Sequence, residues 1–82
     1  MDATSESSRL LGQLVRDRRR GNRLSQRQLG ELAGVGVRFL SELERGKTTL
    51  RADSVNRVLL VFGLMLGAVE IPREESSTGE LP

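Results

Sequence analysis

Cysteine, histidine, tryptophan and tyrosine are all absent from these 82 residues, and lysine occurs once, as Lys47. Without cysteine there is no disulfide, no thiolate nucleophile and no thiolate metal site. Without histidine the usual general base and the commonest metal ligand are missing. A serine nucleophile would have to draw on Lys47 as its base. Neither an enzyme, a metal site nor a cofactor is therefore expected. Long hydrophobic runs are missing too. The stretch from Val58 to Val69 is too short to span a bilayer and is interrupted by Gly63 and Gly67. Met1 to Ser8 is polar and acidic, unlike a secretory signal. A cytoplasmic protein without a membrane partner is the expectation.

What is present is a basic centre between acidic ends. The formal net charge is only +2, but Arg9 to Ile71 holds twelve basic residues against six acidic ones, a net +6. Asp2, Glu6, Glu74, Glu75 and Glu80 lie outside that span, against Arg73 alone. An excess of this sign over a small domain suits an anionic partner such as DNA, although a solvated basic surface has the same composition.

Hydrophobic periodicity divides the chain into helices. Residues 1–7 are read as a disordered tail. Ser8 is the candidate cap of a first helix reaching about Arg20, with Leu10, Leu11, Leu14 and Val15 at helical spacing and Gly21-Asn22 ending it. Ser25 caps the second helix, Gln28 completes a Ser-x-x-Gln capping box, and Leu24 and Leu29 form a hydrophobic staple. That helix ends at Ala33 before Gly34. A third helix runs from about Val37 to Arg45 and stops at Gly46. A fourth runs from about Asp53 to Phe62, with Val55, Val58, Leu59 and Phe62 inward. The segment Leu64 to Ile71 reads as a β-strand, since Gly63 and Gly67 weaken a helix and Pro72 closes the run; a fifth helix is the alternative. Residues 72–82 read as a disordered acidic tail.

The second and third helices and the turn between them carry the functional signal. Two helices that cross steeply need small residues at the crossing, supplied by Gly30 and Ala33. The turn needs a residue free to adopt positive φ, supplied by Gly34. Apolar side chains must plug the angle, and Leu29, Val35, Leu40 and Leu43 do so, while Leu32 is assigned to the fourth helix. This set at fixed offsets describes a helix-turn-helix more specifically than any single glycine.

On Leu24-Ser25-Gln26, Leu29, Gly34-Val35 and Leu43-Glu44-Arg45-Gly46-Lys47, the chain resembles the Xre/Cro-like helix-turn-helix repressors. Over Arg38 to Lys47, and in the Gly-Leu-Met-Leu that follows the fourth helix, it is most similar to HipB-type antitoxins. The likeness spans about Leu11 to Ile71. Arg23 departs from it, standing where glycine often precedes Leu-Ser-Gln, which moves the expected turn to Gly21-Asn22. Gly36 also departs, standing where serine or threonine often caps the third helix. The resemblance implies a mainly α, four- to five-helix lambda-repressor-like DNA-binding domain over residues 8–71. A short C-terminal β-strand in it has no partner within its own chain and would most simply pair with the same strand of a second copy, across a dimer.

Such a domain meets DNA with its third helix. Val37, Arg38, Phe39, Ser41 and Glu42 are the candidate base-contacting residues. Arg38, in the first turn, can bond guanine O6 and N7 together. Glu42 either accepts from cytosine N4 or orients Arg38 one turn away. Val37 and Phe39 suit thymine methyls, with core packing the alternative for Phe39. Arg27, Gly36, Arg45 and Lys47 are the candidate phosphate contacts. By resemblance Gln26 also holds a phosphate, and Arg19 pairs with Glu44 to tie helix one to helix three. Arg16, Arg18 and Arg20 are assigned to a solvated face.

A two-fold dimer would place two recognition helices about 34 Å apart on a palindromic double-stranded operator. Leu64, Met65, Leu66, Val69 and Ile71 are its candidate interface. The functional expectation is an autoregulating repressor and antitoxin of a HipBA-like type II pair, its partner a HipA-like kinase toxin. A stand-alone Xre-type regulator of a phage or restriction-modification system is the alternative within DNA binding. An adapter that binds an acidic protein is the alternative outside it.

Overall fold

A computed structural model describes residues 3–68 and 70. The described residues form four helices: α1 Ala3–Gly21, α2 Gln26–Ala33, α3 Val37–Glu44 and α4 Ala52–Val61. Helix α1 packs on α3, and α2 packs on both α3 and α4. The core is a cluster of Val15, Leu29, Ala33, Leu40, Leu43, Val55, Val58 and Leu59. Leu29, Leu40 and Leu43 are sealed from solvent, so both helices of the turn motif hang from one apolar centre. Each such leucine contributes roughly 1.5–3 kcal/mol relative to exposure.

Helix α1 starts at Ala3, not at a Ser8 cap, so the tail expected over residues 1–7 is helical from its third residue. Nothing between Ala3 and Ser8 breaks a helix. Glu6 sits in the first turn, where negative charge is favoured, and accepts from Arg9 at 2.6 Å. The face that α1 buries is also narrower than its leucine spacing suggested. Val15 is buried and Leu11 partly so, but Leu10 and Leu14 stay exposed. Leu32, assigned to the fourth helix, is exposed as well.

All four helices finish in the same way. A residue one or two positions past the end of each has positive φ, and the N–H beyond it bonds a carbonyl five residues back: Leu24 to Arg19, Val35 to Gly30, Lys47 to Glu42 and Leu64 to Leu59. Glycine fills three of these positions, Gly34, Gly46 and Gly63. Arg23 fills the fourth, at φ 59°. The turn therefore centres on Arg23 and not on Gly21-Asn22. It is held there because Leu24 is gripped twice by Arg19: its N–H donates to the Arg19 carbonyl at 3.0 Å, and its own carbonyl accepts from Arg19 Nη1 at 2.8 Å. Locked surroundings of this kind sustain a left-handed non-glycine residue.

Beyond α4, residues 64–68 and 70 form neither helix nor strand, and no strand occurs among the described residues. Leu64 packs against the core, and the Leu66 N–H donates to Asn56 Oδ1 at 2.7 Å. That bond turns the segment back along α4, so the lone-strand expectation is not met where the chain is described. Val69, Ile71 and the tail 72–82 lie outside the described residues.

Candidate nucleic-acid interface

The capping box expected at Ser25 forms. Ser25 Oγ accepts from the Gln28 N–H at 3.0 Å, and Gln28 Oε1 accepts from the Ser25 N–H at 2.8 Å. This fixes where α2 begins. At its other end the turn to α3 is tight, since a Cβ on Gly30 would lie 2.7 Å from the Val35 carbonyl oxygen. Gly36 then caps α3 in extended conformation, with no side-chain bond and open space around it.

Helix α3 is two-sided. Leu40 and Leu43 point into the core, while Val37 and Arg38 face solvent, Arg38 with 92% of its side chain exposed. Ser41 and Glu42 are half-buried on the same outer side, and Arg45 and Lys47 are exposed just beyond. Phe39 is half-buried and packs against the core cluster, in line with the packing alternative held for it. Of the remaining phosphate candidates, Arg27 is exposed near the start of α2, and Gln26 is half-buried.

Behind this surface lies a polar network. Arg19 donates from Nε to Glu44 Oε2 at 2.7 Å and from Nη2 to Glu44 Oε1 at 3.0 Å. Gln26 Nε2 donates to the same Oε1 at 3.3 Å. Glu44 is buried, and the loss of hydration pushes its carboxyl upward. The hydrogen bonds from Arg19 and Gln26, with the charges of Arg19 and Arg16, outweigh that and hold it below its ordinary value. One carboxylate thus joins α1, α2 and the end of α3, so the angle of the exposed helix is set from below.

Two contributors escaped the sequence reading. Arg16, assigned to solvent, has its Nε buried 3.7 Å from Glu44 Oε1, without a hydrogen-bond partner there. Gly12 lies where α1 crosses the end of α3. A Cβ there would collide with the Leu43 carbonyl oxygen and come within 2.8 Å of that of Glu44. Nothing in the sequence pattern singles out Gly12, because only the helix crossing reveals that its backbone must touch another backbone.

Residues 10–70 match the family described as Helix-turn-helix domain. The chain belongs to that helix-turn-helix family. A relative in Sinorhizobium fredii, an uncharacterized HTH-type transcriptional regulator designated y4mF, is 43% identical over 53 residues. The similarity covers 65% of this chain and 70% of the relative. Within the helix-turn-helix frame, α2 is the positioning helix and α3 the one whose outer face is presented. Among the described residues no helix is long and apolar enough to cross a membrane.

Proposed function

We propose that this helix-turn-helix protein is a sequence-specific DNA-binding transcriptional repressor, acting as a homodimer on a palindromic operator. The observation that carries the reading is the two-sided α3: Leu40 and Leu43 are fully sunk while Arg38, in the first turn, is almost wholly free. A side chain so placed reaches base edges when the helix enters a major groove. Val37 and Ser41 share that task, with Phe39 confined to the margin. Arg27, Arg45 and Lys47, with Gln26 and the open backbone at Gly36, hold phosphates. The transcriptional-regulator relative adds support in kind.

The finer reading is an autoregulating antitoxin of a HipBA-like pair, whose partner is a HipA-like kinase. Its support is the likeness of Arg38 to Lys47 and of the Gly-Leu-Met-Leu segment to HipB-type antitoxins. Dimerisation through Met65 and Leu66 is supported by their exposure beside a folded-back segment. Such a protein would work in the cytoplasm, without catalysis or cofactor.

The deciding experiment is a binding titration over a salt series, using promoter DNA of the protein's own operon and random duplex. Tight, promoter-selective binding that weakens steeply with salt is expected. Salt-insensitive or absent binding would favour the protein adapter. Co-purification of a neighbouring kinase-like product supports the antitoxin role, and its absence leaves a stand-alone regulator.

A further inference from the structure

We infer that Glu42 is a positioning residue that withholds Arg38 from DNA lacking the right base, so that discrimination works by exchange of an ion pair. The inference rests on the DNA-binding reading above and deepens it.

The Glu42 carboxylate is shared between two cations. Its Oε2 lies 3.6 Å from Arg38 Nε, and its Oε1 lies 3.4 Å from Lys47 Nζ. Lys47 is tied to the same residue a second time, because its backbone N–H donates to the Glu42 carbonyl at 3.1 Å. One residue therefore governs both the side chain best placed to read a base and the one best placed to grip the backbone. Arg38 and Glu42 are four residues apart on one face of α3, yet the Glu42 side chain is only 22% exposed against 92% for Arg38. Both carboxylate oxygens face cations. A cytosine contact would need one of them turned to the groove.

A bare carboxylate on this surface would repel phosphates. Paired, it cancels part of the positive charge that would otherwise attract any duplex. The contrast with Glu44 is informative. Glu44 is buried and holds Arg19 at 2.7 Å, a fixed contact, whereas the Glu42 pairs are longer and open to solvent. A surface ion pair changes an equilibrium by at most about fivefold. A bidentate arginine–guanine contact is worth about 5- to 150-fold. Arg38 therefore gains by leaving Glu42 when guanine is opposite and gains nothing at another base. The guanine contact outweighs the broken pair and nothing does so at another base, so non-specific affinity is held down more than specific affinity.

The test compares full-length wild type with Glu42→Gln, which keeps the shape and removes the charge. The probes are a random-sequence duplex pool and the pool that wild type enriches from it. Glu42→Gln is expected to bind the unselected pool about fivefold more tightly, with a salt slope steeper by about one. The ratio of enriched to unselected binding should fall, with no change in melting temperature. In an Arg38→Ala background, Glu42→Gln should leave that ratio unchanged. Equal effects on both pools would overturn the inference, as would a new preferred base at one position, which would make Glu42 a reader itself. If wild type enriches no sequence, the DNA reading fails and this inference with it. Enrichment by wild type with an indifferent Glu42→Gln defeats the inference alone.

Discussion

Arg19 and Glu44, 25 residues apart in the chain, meet through paired hydrogen bonds of 2.7 and 3.0 Å and join the first helix to the end of the third. Removing one partner of a buried pair leaves the other uncompensated, at a cost of about 3 kcal/mol. Arg19→Ala and Glu44→Ala should each lose that much in urea denaturation, a large share of the stability of a domain this small. The pair also predicts a pH dependence. Because the folded state lowers the Glu44 carboxyl from its ordinary 4.5, its contribution is fully present above that pH and declines as pH falls below it. Denaturant midpoints followed downward through 4.5 should fall less steeply for Glu44→Gln than for wild type. Parallel curves would show that Glu44 is not the group responsible.

Gly12→Ala should destabilise the protein by about 1–3 kcal/mol, because the added methyl meets two carbonyl oxygens of α3 that can yield only by moving the helix. The sign is the test. On an open helix face the same change stabilises by about 1 kcal/mol, so a raised melting temperature would contradict the α1–α3 crossing.

Arg23→Gly should stabilise by up to about 1 kcal/mol. Relief of the left-handed strain at φ 59° is partly offset by the freedom glycine adds to the unfolded chain. Thermal melts decide it, with Gly21→Ala as a control outside the positive-φ position. A loss on Arg23→Gly would mean that the arginine side chain supports the turn.

Arg38→Ala should cost about 1–3 kcal/mol of operator binding and relax preference at one base pair, with little effect on random DNA. Lys47→Ala should weaken both alike and reduce the salt slope by about one. Competition binding separates the two. A uniform loss with Arg38→Ala would remove it from the base-reading role.

Met65→Glu should reduce the proposed dimer to a monomer in sedimentation, since Met65 is 69% exposed and its loss leaves the core untouched. Deleting everything from Leu64 onward is a poorer probe, because Leu64 packs against the core and its N–H closes the end of α4. A Met65→Glu dimer would place the interface elsewhere, for instance at the exposed Leu60 or Leu32.

The helices were legible because their signals are local. Ser25 and Gln28 reach each other within one turn, and Gly34, Gly46 and Gly63 stand where the helices end. Leu29, Leu40 and Leu43 also read correctly as core, since burial of a large apolar side chain needs no knowledge of its neighbours. The stretch after α4 was less legible, because glycine spacing suggests a strand, while the described part is held by a bond from Leu66 to Asn56, ten residues back. Sequence alone leaves Phe39 between groove and core, because a helix periodicity cannot say how far a neighbouring core extends.

Residue order alone determined four helices, a tight second turn and a third helix with one apolar and one polar side, because propensity, capping and periodicity act over a few residues. Only the tertiary structure decided that α1 starts at Ala3, that Arg23 takes the left-handed position, that Gly12 touches a carbonyl, and that Arg19, Gln26 and Arg16 converge on one buried carboxylate. Apart from the helix start, which has no breaker to oppose it, these depend on which helices cross and how closely. That is a balance of burial and hydrogen bonding summed over residues far apart in the chain.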